Sequence, residues 1–322
     1  MEYQIMNLHN DEPFFAELVT TVAQAINLPE VYIEKDYWVT KALKYLSEFS
    51  RFNEVVFKGG TSLSKAYKLI NRFSEDIDLA IFSDSEQSQN SGKRLLKQVE
   101  TAVSQGLIYL KNDARESKGS RFRKTVYQYP RIIKNENFGQ ASPDLLIEIN
   151  SFSIPEPFIP VELQSLISEV LMENNRLDIV EKYNLHSFNM NVLSVERTLV
   201  EKILAMIKDS YSENPVEKIS ARIRHLYDIC QILRLKKHRD FIVSDGFNKM
   251  LDICILDEEN TFDNQLKYFR HSLINAPLFS EFKNWSKSIN SIYNGVFADL
   301  AYGELPTMNE IEESIYFIRE NL

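Results

Sequence analysis

Cysteine is scarce in this chain: two in 322 residues, Cys230 and Cys254. So few cannot build a disulfide scaffold. Both fall in helical patterns and need not pair, so a reducing, cytoplasmic setting is the expectation. Glycine and proline are also few, 9 and 10, which argues against long disordered tracts. No run of about 18 apolar residues occurs, so no membrane-spanning helix is expected. The opening MEYQIMNLHNDEPFF lacks a basic segment followed by an apolar one, and no secretory signal is expected. Positive charge is in deficit, with a net charge of −9, and this excludes a generic nucleic-acid coat. What remains, 44% hydrophobic and 26% charged residues, suits a soluble globular protein of two modest domains, or of one domain with a helical extension.

The acidic average hides one basic stretch. Between Lys111 and Lys134 stand Lys111, Arg115, Lys118, Arg121, Arg123, Lys124, Arg131 and Lys134, against only Asp113 and Glu116. It reads equally as a local RNA or triphosphate contact and as a solvated β-hairpin.

The richest stretch is 55–82, VVFKGGTSLSKAYKLINRFSEDIDLAIF. Val55, Val56 and Phe57 suit a buried strand. Gly59 and Gly60 end it, and Thr61 or Ser62 is placed to cap a helix running through Leu63, Ala66, Tyr67 and Ile70. After Asn71 and Arg72 a second strand is expected, in which Asp76 and Asp78 alternate with Ile77 and Leu79. Residues two apart in a strand share a face, so the two carboxylates project together. Their repulsion favours a cation between them, and Mg²⁺ suits hard oxygen ligands with phosphate or water in its other positions. The glycine turn upstream offers backbone N–H groups to an anion. Gly59, Gly60, Thr61 and Ser62 are therefore candidate triphosphate contacts, with Lys58 and Lys65 to offset phosphate charge. Ser74 lies two residues before Asp76, where added negative charge would oppose anion binding.

Elsewhere, helices are expected over 13–27, 32–49 and 93–105, with a polar loop at 83–92. Strands are expected in RFRKTVYQYP, at 145–149 and at 186–193. Glu148 is a lone acid in the apolar strand LLIEI. The three prolines of 154–162 suggest an extended connector and a domain boundary there, giving domains 1–160 and 161–322. Ser194 is placed to cap a helix carrying Lys202. In the helix at 220–235, Arg224 and Asp228 are four apart. The aromatics beyond residue 240 read as core.

The combination F-K-G-G-T-S-L at 57–63 with R-F-S-E-D-I-D-L at 72–79 resembles the nucleotidyltransferase superfamily with a DNA polymerase β-like fold. More narrowly it is similar to the AbiEii/AbiGii toxin family of nucleotidyl transferases. E-K-D-Y-W-V-T at 34–40 and the pairing of Lys202 with Asp228 also match. The resemblance implies an α+β fold: a mixed sheet flanked by helices, followed by a helical C-terminal domain. It implies a Mg²⁺-dependent enzyme moving a nucleotide from a nucleoside triphosphate to an acceptor, such as tRNA in some relatives. The cellular role implied is a toxin of a toxin–antitoxin or phage-defence pair, with a separately encoded antitoxin. Glu148 fits the superfamily's third acid, which would bind the second metal or activate the acceptor hydroxyl, with Asp144 as the fallback. Lys202 fits a lysine that approaches the triphosphate, Asp228 an acid facing the cleft, and Lys35 or Asp36 residues lining it. A protein or small-molecule acceptor, and a non-catalytic nucleotide-binding relative, stay open as alternatives.

Overall fold

The computed structural model describes residues 6–74, 76–82, 89–134, 138, 141–262 and 272–322. By contacts they form two compact units that interleave along the chain: 1–66, 73–151 and 158–192 make one, and 67–72, 152–157 and 193–322 the other. No helix among the described residues is long and apolar enough to cross a membrane.

The first unit is built on an eight-stranded mixed sheet. Its strands are β1 (Val55–Lys58), β2 (Ile77–Ile81), β3 (Ile108–Tyr109), β4 (Ser117–Lys118), β5 (Phe122–Gln128), β6 (Leu145–Asn150), β7 (Phe158–Leu163) and β8 (Phe188–Leu193). They lie in the order β3-β5-β6-β2-β1-β8-β7, and β4 also pairs with β5. β2 is antiparallel to β1 and parallel to β6, while β5 is antiparallel to β6. Alternation decides which face is core. Ile77, Leu79, Ile147 and Ile149 are all 0% exposed, while Asp78 and Glu148 between them are half-buried, as a period of two requires.

Helices α1 (Glu12–Ile26), α2 (Glu30–Ser47), α3 (Gly59–Lys65), α4 (Gln89–Val103), α5 (Leu166–Glu173) and α6 (Leu177–Lys182) belong to this unit. α1 closes on Asn27 in the left-handed conformation, one of the few residues that tolerates it. The residues of 83–88, within the expected polar loop, lie outside the described set.

Three local expectations change. The helix after the glycines begins at Gly59 itself, with Lys58 at the cap and no side-chain capping bond. It stops at Lys65 rather than reaching Ile70, since Lys68 takes a φ of 52° that no right-handed helix continues through. The proline-rich connector at 154–162 instead yields β7, an edge strand, where the missing N–H of Pro160 is tolerated. The first unit therefore runs on past residue 160 to 192, because β7 and β8 extend the same sheet.

The second unit is helical: α7 (Val195–Ser210), α8 (Pro215–Ala221), α9 (Ile223–Leu233), α10 (Lys236–Ile242), α11 (Asp245–Phe262), α12 (Pro277–Ser280), α13 (Phe282–Ile292) and α14 (Met308–Arg319). Ser194 caps α7 as expected, its hydroxyl accepting from the Arg197 N–H. Phe247, Phe279, Phe282, Tyr293 and Phe297 are buried, which fits a core role, Trp285 is only half-buried, and Tyr268 and Phe269 lie outside the described residues.

Candidate functional site

Register brings the sequence's acids together in the first unit. Lys58 stands opposite Asp78 across β1 and β2, Asp78 opposite Glu148 across β2 and β6, and Glu148 opposite Lys124 across β6 and β5. Directly opposed residues share a face, so one row crosses four strands with the signs plus, minus, minus, plus. Adjacent like charges repel, and the lysine at each end offsets that cost. Glu148 and Lys124 close an ion pair at 2.7 Å, with both side chains about a third exposed (28% and 30%). In the sequence Lys124 is one of eight basic residues in 111–134, and the register of the partner strand sets it beside Glu148.

Gly59 sits against this row. Its φ is +79°, and a Cβ there would lie 2.1 Å from Oδ2 of Asp78. Any larger residue would both strain the backbone and displace the carboxylate. The glycine turn and the Asp78 carboxylate are thus in contact, the juxtaposition that a phosphate and a shared cation would require. Asp76 falls one residue before β2 rather than inside it. Its backbone is held by Thr61, whose Oγ1 donates to the Asp76 carbonyl at 2.5 Å. The Thr61 hydroxyl has one proton, so the 2.9 Å contact with Ser74 Oγ has Ser74 as donor. Ser62 is fully buried and its hydroxyl donates to the Gly59 carbonyl at 2.9 Å. The hydroxyls of Thr61, Ser62 and Ser74 therefore fix the turn and the approach to β2. What the turn offers an anion is backbone N–H, since the first N–H groups of a helix have no partner within it.

Lys65 lies elsewhere. It is 7% exposed and donates to Asp36 Oδ1 at 2.6 Å and to the Gln164 carbonyl at 3.1 Å. The E-K-D of 34–36 likewise works inward. Glu34 accepts from the N–H groups of Ile132 (2.6 Å) and Ile133 (3.3 Å). Lys35 donates to the carbonyls of Ser142 (2.5 Å) and Asp144 (2.8 Å). Asp36 accepts from the Leu166 N–H at 2.7 Å as well as from Lys65. Each residue braces a different segment against α2. Burial pushes the Glu34 carboxyl up to about 6, against the opposing pull of the two N–H bonds and of Arg131.

Four of the eight basic residues of 111–134 are paired with acids. Arg115 pairs with Asp113 (2.8 Å) and Asp144 (2.7 Å), Lys118 with Glu116, Arg123 with Glu100 (2.5 Å), and Lys124 with Glu148. Asp144, the fallback third acid, is held by Arg115 at the end of β6. Among the described residues no three His, Cys, Asp or Glu side chains are grouped closely enough to hold a metal by themselves. A cation that takes one or two carboxylates and draws its other ligands from phosphate and water still fits Asp76 and Asp78.

The second unit holds Lys202 and Asp228. Asp228 is 0% exposed. Its Oδ1 accepts from Arg72 Nε (2.7 Å), and its Oδ2 accepts from Arg72 Nη2 (2.8 Å) and Lys202 Nζ (2.9 Å). Burial alone would raise this carboxyl. The charges of Arg72 and Lys202 overcome it and hold the group well below the usual carboxylate range. Arg224, four residues earlier, is not the partner its spacing suggested. Burial, reinforced by the Lys202 charge, holds His225 well below the usual imidazole value, and its Nδ1 is buried without a hydrogen bond.

Residues 41–290 match the family described as nucleotidyl transferase AbiEii toxin, of a type IV toxin–antitoxin system. Among solved structures, the MenT4 nucleotidyltransferase toxin of Mycobacterium tuberculosis superposes with a TM-score of 0.55. That match covers 93% of this chain and 89% of the other at 14% identity, a likeness of fold. No curated protein matches.

Proposed function

The chain belongs to the AbiEii family of nucleotidyl transferase toxins and is a nucleotidyltransferase, and from that premise we propose a Mg²⁺-dependent reaction centred on Asp76, Asp78 and the Gly59 turn. The observation that carries this reading is the Asp78 carboxylate occupying the space that a side chain at residue 59 would fill. The backbone N–H groups from Gly59 to Ser62 bind the triphosphate, and Lys58, opposite Asp78, offsets its charge. Asp76 and Asp78 hold the metal, which when bound supplies charge stabilisation at the phosphates. An acceptor hydroxyl oxygen bonds to the α-phosphorus, the bond to the bridging oxygen breaks, and pyrophosphate leaves. Glu148 takes the hydroxyl proton. Positioning and charge neutralisation suffice for such chemistry. Lys202 stays in the proposal as a phosphate-neutralising residue on its sequence pattern, and Asp228 as the group that fixes it through their 2.9 Å contact. The setting is the cytoplasm, with a separately encoded antitoxin as partner.

RNA, and tRNA in particular, is the proposed acceptor. The internally paired state of Arg115, Lys118, Arg123 and Lys124 favours a second reading, in which the acceptor is a protein or a small molecule. One experiment separates them: each labelled triphosphate incubated with total RNA, total protein or an aminoglycoside, with and without Mg²⁺. Label in RNA that requires Mg²⁺ and Asp78 supports the first reading. Label only in another acceptor supports the second, and no transfer to any acceptor overturns both.

A further inference from the structure

Register makes Asp78 and Lys124 rival neighbours of Glu148, one on each side. Directly opposed side chains on one face are close enough to interact, yet Asp76, Asp78 and Glu148 are not grouped as a metal would need. Across the other strand pair a Glu148 oxygen rests 2.7 Å from Lys124 Nζ. Both side chains are about a third exposed (28% and 30%), so water screens the pair and the hold is weak. A divalent cation at Asp76 and Asp78 would place a competing positive centre on the other side of Glu148.

The geometry points to Lys124 as a positioning residue that keeps Glu148 out of the carboxylate group until a divalent cation draws it in. The inference rests on the reading of Asp76 and Asp78 as cation ligands. It gives the chain a two-position carboxylate: on Lys124 when no cation is bound, and beside Asp78 when one is. The consequence is that affinity for a divalent cation, and not only transfer, depends on a lysine one strand beyond the acids.

The test reads Mn²⁺ binding to the protein alone, by the electron paramagnetic resonance of free Mn²⁺, with far-UV circular dichroism as the check on folding. Lys124→Met is expected to tighten Mn²⁺ by about two- to five-fold, the size of an exposed ion pair. Lys124→Arg is expected to bind as the wild type does. In a Glu148→Gln background the Lys124→Met gain is expected to vanish, because the carboxylate it releases is gone. Unchanged affinity in Lys124→Met overturns the inference. So does an equal gain in the Glu148→Gln background, which would mean that the lysine acts only as a nearby charge. Asp78→Asn keeps the two levels apart. Mn²⁺ binding that Asp78→Asn abolishes but Lys124→Met leaves alone defeats the clamp and spares the cation site. No wild-type binding, or binding that Asp78→Asn does not weaken, defeats the cation site and the clamp with it.

Discussion

Asp78 and Asp228 are both aspartates with basic neighbours, and the two units treat them in opposite ways. In the first unit Asp78 is half-buried, opposite Glu148 in register and against Gly59. In the second unit Asp228 is sealed from solvent, with both oxygens taken by Arg72 and Lys202. An acid that can take a ligand needs an accessible oxygen and a neighbour that makes a cation welcome. An acid whose lone pairs are already filled by guanidinium and ammonium holds structure. The difference lies in surroundings, which the residue types alone do not reveal.

The sharpest way to break this contrast is to remove the buried charge. Asp228→Asn leaves Arg72 and Lys202 enclosed without their anion, and about 3–5 kcal/mol of stability should be lost, read from the urea midpoint. Because the folded carboxyl is held below its ordinary range, its contribution is present at neutral pH and is lost as pH falls below about 3.9. A midpoint unmoved by the substitution would place Asp228 outside the structural role. Asp78→Asn should do the reverse. Transfer should fall on the order of a hundred-fold, about 3 kcal/mol of barrier, with no more than about 1 kcal/mol of stability lost. Loss of stability with activity retained would invert the comparison.

Glu34 sharpens it from a third direction, as a buried carboxylate bonded to neutral donors instead of cations. Its folded value of about 6 exceeds the ordinary 4.5, so between those values the folded state keeps a proton that the unfolded state has lost. Stability should therefore fall by about 2 kcal/mol as pH rises through that window. The Glu34→Gln variant should lack the slope, and parallel wild-type and variant curves would show that Glu34 does not titrate there. The smallest effect belongs to an exposed pair. Lys236 lies 2.6 Å from Asp240 with side chains 86% and 61% exposed, and Lys236→Ala should shift stability by less than about 0.5 kcal/mol.

Much of the first unit was legible because its pattern is local. The alternation of Ile77, Asp78 and Leu79, and of Ile147, Glu148 and Ile149, assigns faces without any knowledge of the partner strand. Ser194 before an apolar helical pattern announces its cap in the same way. Where reading failed, a distant segment had intervened. Thr61 looks like a free capping hydroxyl until the Asp76 carbonyl claims it. Lys65 looks like a phosphate contact until Asp36, twenty-nine residues away, takes its charge. The basic run of 111–134 reads both as a contact for RNA or triphosphate and as a solvated hairpin, and only the fold shows that Asp144, Glu100 and Glu148 take up Arg115, Arg123 and Lys124.

Two aspartates two apart after a glycine turn, Glu148 alone among apolar residues, and a helical later part are all written in the local pattern. These follow from periods of two and of about 3.6 residues, which any short window carries. That Glu148 stands between Asp78 and Lys124, that Gly59 touches Asp78, and that Asp228 closes on Arg72 come from folding alone. Those are pairings between segments up to 156 residues apart. Coulomb attraction and hydrogen bonding act across space, and strand register and chain closure set which charges meet.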